Sequence, residues 1–103
     1  MIIQQGDVIL EKVDAMPGGK RVSPSSRGYV LTEGEASGHF HVIADIDGVE
    51  CEEKDGMFFI RVAKETKVTH EEHKPVTVKP GTYKVRKVRE YDHFAEEARA
   101  VAD

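Results

Sequence analysis

Turn-forming residues cut this sequence into pieces that suit strands and are too short for helices. Met16-Pro17-Gly18-Gly19, Asp47-Gly48, Asp55-Gly56 and Lys79-Pro80-Gly81 recur along the chain. Between them lie short runs such as Val8-Ile9-Leu10, Tyr29-Val30-Leu31, Val42-Ile43 and Met57-Phe58-Phe59-Ile60. Short β-branched and aromatic runs bounded by such turns predict an all-β sandwich or barrel. A first strand is expected from Ile2 to Val13, with a turn or bulge at Gln4-Gln5-Gly6. Further strands are expected over Tyr29–Glu33, His39–Ala44, Val49–Glu53, Met57–Ala63, Thr66–Thr69 and Thr82–Glu90. Asp47-Gly48 and Asp55-Gly56 each read as a hairpin turn. Met57–Ala63 is almost wholly apolar and reads as a central strand buried on both faces. The polar stretch Lys20–Gly28 reads as a loop.

The tail changes period. Asp92 is a candidate N-cap, and Phe94, Ala98, Val101 and Ala102 fall on one helical stripe. The organisation expected is a β domain over residues 1–91 and a C-terminal helix over 92–103, packed on the domain or on a neighbouring subunit. Its 103 residues fit one domain, and a small β domain with open strand edges is expected to oligomerise or cover them. Cys51 is the single cysteine, so no disulfide can form within the chain, which suits a reducing compartment. No apolar run approaches the roughly 20 residues of a membrane span. The expected location is the cytoplasm, or the host cytoplasm for a phage-encoded chain. A formal net charge of −4 disfavours duplex nucleic acid as a partner, since binding there depends on clustered Lys and Arg.

Four of the five histidines stand in two pairs. Residues i and i+2 of a strand point to the same face, so His39 and His41 present two imidazoles on one side and Phe40 on the other. His70 and His73 are spaced for a helical turn or a tight loop, and Pro75 argues against a helix continuing past Lys74. A loop or single turn at a barrel mouth is the expected placement, from which this pair can turn toward the first. Imidazole donors suit Zn, Fe, Ni or Cu, and an added carboxylate widens the choice toward Mn. Glu35, Asp45, Glu71 and Glu72 are the candidate carboxylates, with Glu71 or Glu72 as general base or further ligand. The expectation is therefore a divalent transition metal held by His39, His41, His70 and His73. The pattern does not choose between an enzyme and a binding protein. The competing reading is a non-enzymatic protein that sequesters a nucleotide or blocks a host protein. In it the histidines and the basic group Lys84, Arg86, Lys87 and Arg89 contact phosphates or the partner. His93 reads as structural, and so do Asp7, Tyr83 and Tyr91. Cys51 has no basic neighbour in sequence and is not proposed as a nucleophile.

Gly6-Asp7-Val8-Ile9-Leu10, Gly38-His39-Phe40-His41, His70-Glu71-Glu72-His73-Lys74-Pro75, Pro80-Gly81-Thr82-Tyr83 and Arg89-Glu90-Tyr91-Asp92 resemble an uncharacterised family of small proteins from bacteria and their phages. That resemblance implies one coherent domain and no particular reaction. Gly38-His39-Phe40-His41 is also similar to the first metal motif of cupins, with Asp45 nearest to the place of their glutamate. This second likeness implies a cupin-like small barrel.

Overall fold

The computed structural model describes residues 2–33 and 39–87. Among them the chain forms ten strands. The first apolar stretch is a hairpin and not one strand. β1 (Ile2–Gln5) and β2 (Val8–Val13) pair antiparallel around Gly6 and Asp7, with Ile3 opposite Leu10 and Gln5 opposite Val8. Gly6 makes the reversal with φ of 56°, a left-handed conformation that costs little without a Cβ. β3 (Lys20–Val22) lies inside the stretch expected to be a loop. Its backbone pairs with β6 (Val49–Lys54), and only Val22 packs against the core. Three residues with one apolar side chain carry too little period to be seen in sequence.

β4 (Tyr29–Glu33) pairs with β5 (Phe40–Ile43) across a register shift between Val30 and Thr32. β6 returns through Asp55-Gly56 to β7 (Met57–Val62), with Lys54 opposite Met57. Asp55 and Gly56 both have positive φ, at 54° and 77°, as a two-residue turn that follows strand twist requires. Asp47-Gly48 behaves otherwise. It reverses the chain, with Val49 N–H donating to Ile46 C=O, yet β5 and β6 belong to different sheets. β8 (Thr66–Val68) pairs with β9 (Val76–Val78), and β10 (Gly81–Lys87) runs between β2 and β7.

One six-stranded sheet results, in the order β1-β2-β10-β7-β6-β3, with two separate two-stranded ribbons, β4-β5 and β8-β9. The sheets are not closed into a barrel. The large sheet ends on β1 and β3, and β4 and β5 pair with each other rather than bridging those edges. The described residues contain no helix, and the helix expected over 92–103 lies outside them. Strand alternation sends Leu10, Val85, Tyr83, Ile60, Val62 and Cys51 to one face, where they meet Leu31, Ile43, Val68 and Val78 of the ribbons in one apolar core. β7 is central in the hydrogen-bond order but buried on that face only. Ile60 and Val62 are buried, whereas Met57 and Arg61 are exposed.

Cys51 sits in this core at 3% exposure, and burial, reinforced by Glu52 and Glu53, pushes its thiol up to about 11. Because the thiolate is the reactive form, native Cys51 is expected to react with a disulfide reagent at pH 8 at least about a hundredfold more slowly than in urea. The release of thionitrobenzoate measures this. No described helix is long and apolar enough to cross a membrane.

Candidate functional site

The histidine cluster forms where three segments meet: the β1–β2 turn, β5, and the loop between β8 and β9. β5 sends His41 inward at 1% exposure. β1 sends Gln5 to the core face, also at 1%, because Gln5 stands opposite Val8. The loop is fixed at three points. Val42 and Thr69 exchange backbone hydrogen bonds at 2.9 and 2.8 Å. Glu71 Oε1 accepts from Phe40 N–H at 3.0 Å. Gln5 Nε2 donates to both Val68 C=O and Lys74 C=O at 2.9 Å. The loop thus lies against β5 without any regular structure of its own between Thr69 and Pro75.

That docking brings the four imidazoles together. The ring of His70 lies 5.6 Å from His39, 4.4 Å from His41 and 4.7 Å from His73, centroid to centroid, and His41 and His73 are 5.9 Å apart. His39 and His41 reach the same neighbour, as strand alternation requires. Phe40 faces away and carries the Arg27 guanidinium 4.7 Å above its ring. Gly6 makes room for the cluster. A Cβ at that position would stand 2.6 Å from His73 Nε2 and 3.2 Å from His41 Cε1.

The hydrogen bonds assign protons. Gln5 Nε2 faces two carbonyls, so Gln5 Oε1 must accept from His41 Nδ1–H, at 2.9 Å. His41 Nε2 meets Asp7 Oδ1, also at 2.9 Å, and this contact needs one proton between the two atoms. Burial holds the His41 imidazole below its ordinary pKa and the neighbouring His70 and His73 add to this, while the Asp7 carboxylate pulls the other way. His70 Nδ1 accepts from Glu72 N–H at 3.0 Å, which leaves the proton of the neutral ring on Nε2. Hydrogen bonds from the backbone of Phe40 and of Glu71 itself hold the Glu71 carboxyl below its usual range. Glu72 Oε1 lies 3.7 Å from His39 Nδ1.

Two polar atoms of the cluster are buried without a hydrogen-bond partner, His39 Nδ1 and Asp7 Oδ2. Lys87 Nζ approaches Asp7 Oδ2 only to 3.7 Å. Among the described residues no three His, Cys, Asp or Glu side chains aim their donors at one centre that would hold a metal ion as they stand. Both His41 nitrogens and His70 Nδ1 are already engaged in hydrogen bonds.

The other expected site residues are elsewhere. Asp45 serves the turn after β5, where Oδ1 accepts from Asp47 N–H. Lys84 and Arg86 share the sheet face opposite the core, with Arg86 3.9 Å from Glu11, whereas Lys87 alternates to the core face beside Asp7. Glu35, Arg89, Tyr91 and His93 lie outside the described residues. Gln5 and Asp7 are the partners of His41 that sequence reading misses. Their signal is the polar Gln4-Gln5-Gly6-Asp7 between two apolar runs, with Gln5 two residues past the inward Ile3.

Fold and cluster define a small, mainly β protein with a loop-docked histidine site at one end of an open sheet. The chain belongs to the family described as Domain of unknown function (DUF8820), which matches residues 4–88. No curated protein and no solved structure matches it.

Proposed function

We propose that His39, His41, His70 and His73 bind one divalent transition-metal ion, of the class Zn, Fe, Ni or Mn. The observation that carries this reading is the packing of His39, His41 and His73 around His70 at centroid separations of 4.4–5.6 Å, with His41 and His73 5.9 Å apart. Imidazoles that share one tetrahedral ion, with bonds of about 2.0–2.1 Å, have centroids roughly 5 Å apart. The surroundings favour a cation over an anion. Asp7 is buried against the cluster, and Glu71 and Glu72 stand on the same loop as His70 and His73. An ion would take up His39 Nδ1, which has no hydrogen-bond partner, and would displace the proton between His41 Nε2 and Asp7. Glu71 is committed to Phe40 N–H. Glu72, largely exposed beside His39, is the better candidate to take a proton from an ion-bound water.

Untagged protein is expected to take up one ion per chain and to release at least one proton as it does so. Calorimetric titration with Zn2+ in buffers of differing ionisation enthalpy reads both quantities. The double variant His41→Ala/His73→Ala is expected to lose uptake. Stoichiometric binding that survives in that variant would end this reading, as would no binding by the wild type alongside a thermal shift with nucleotides.

A further inference from the structure

We infer that Asp7 supplies the carboxylate of this site, as a direct ligand that stands beside His41 on the ion. The inference rests on the metal reading above and changes the donor set from nitrogen alone to nitrogen plus one carboxylate.

Three observations single out Asp7 among the acids near the cluster. The first is distance. Asp7 Oδ1 and His41 Nε2 are 2.9 Å apart. Two donors on one tetrahedral ion, each about 2.0–2.1 Å from it, stand roughly 3.3 Å apart. The separation is already within a few tenths of an ångström of that value, and a sideways swing of the Asp7 carboxylate off the imidazole axis converts the proton-bridged contact into an ion-bridged one. The second is burial. Asp7 is 7% exposed, and its Oδ2 has no hydrogen-bond partner. A buried carboxylate oxygen left unpaired costs free energy that an exposed one does not. Glu72 pays no such cost, with its side chain 67% exposed. The third is prior commitment. Glu71 already accepts from Phe40 N–H, and leaving that bond would remove one of the three points that fix the loop.

The backbone explains how Asp7 comes to be there. Gly6 turns the chain in the left-handed region between Gln5 and Asp7. Gln5 therefore meets one nitrogen of His41 and Asp7 the other. Gln5 orients the ring through Nδ1 and leaves Nε2 for the ion, as a second-sphere acceptor does in many histidine metal sites. Lys87, 3.7 Å from Oδ2, offsets the remaining carboxylate charge. A donor set of imidazoles and one carboxylate favours Zn, Fe(II) or Mn over Cu.

The test compares full-length wild type, Asp7→Asn, Glu71→Gln and Glu72→Gln in Zn2+ titrations against a chromophoric chelator. Asp7→Asn is expected to weaken binding by about a hundredfold, and the two glutamine variants by no more than about threefold. A second variant, Asp7→Cys loaded with Co2+, is expected to show the near-ultraviolet charge-transfer band of a cobalt–thiolate bond, which arises only if position 7 reaches the ion. Wild-type binding that Asp7→Asn leaves within about threefold, with no thiolate band in Asp7→Cys, overturns the assignment and leaves the four-histidine site intact. Absence of binding in the wild type overturns both.

Discussion

Replacing Gln5 with glutamate is expected to destabilise the protein by about 3 kcal/mol and to lower its Tm by roughly 10–20 °C. The change keeps the size of the side chain and removes only the N–H donors. In the native protein Nε2 bonds Val68 C=O and Lys74 C=O, both at 2.9 Å, from a side chain 1% exposed. With a carboxylate in that place, two carbonyl oxygens face an oxygen. Each unsatisfied buried group costs about 1–3 kcal/mol, and the new charge lies near the buried Asp7. Gln4→Glu is the contrast. Gln4 is equally buried, but its Nε2 bonds only Gly6 C=O, two residues away, and its Oε1 has no partner. The same substitution there removes one local bond and no link to the β8–β9 loop. Urea unfolding of both variants, with equal m-values, measures the difference. Amide exchange across residues 69–75 is expected to quicken in Gln5→Glu alone. A loss below about 1 kcal/mol for Gln5→Glu would mean that the loop is held by other contacts.

Features written into one or two neighbouring residues were legible in the sequence. Asp55-Gly56 needs positive φ at both positions, and few residue pairs other than this one tolerate that, so the hairpin could be read directly. The parity of His39 and His41 follows from strand geometry alone, and Pro75 rules against a helix running on past Lys74, though not against a single turn over His70 and His73. Features that depend on the choice of partner were not legible. Asp47-Gly48 specifies a reversal, but whether the strands on either side then pair is decided by β4, which takes β5 first. Barrel closure fails for the same reason, since it depends on what the edges β1 and β3 meet. Met57-Phe58-Phe59 reads as a strand buried twice over because the sequence does not show that the face of Phe59 and Arg61 is left partly open. The candidate site divides along the same line. Its histidines are visible as pairs, but Gln5 and Asp7 are joined to His41 across 36 and 34 residues. A buried polar residue looks like an ordinary turn residue until its partner is known.

Gly6→Ala and Gly18→Ala are expected to cost similar stability and to differ sharply in what they do to the histidine cluster. Both glycines are left-handed, with φ of 56° and 75°. An alanine at either therefore incurs the same backbone penalty of about 1–2 kcal/mol. At Gly18 a Cβ meets nothing within 4 Å. At Gly6 it lands 2.6 Å from His73 Nε2 and 3.0 Å from His73 Cδ2, which is closer than atoms can remain. His73 is an exposed side chain at the end of the loop, so it can swing outward instead of breaking the fold. The extra stability cost of Gly6→Ala over Gly18→Ala is accordingly expected to be under about 1 kcal/mol. The cluster, however, loses one of its four rings. The NMR contacts between residue 6 and the His73 ring are expected to vanish in Gly6→Ala, and Zn2+ affinity to fall by about tenfold or more. Gly18→Ala is expected to match the wild type in both measurements. The pair separates backbone strain from crowding of the site, because the strain is common to the two and only one of them touches an imidazole. Equal affinity in the two variants would remove His73 from the set of ligands.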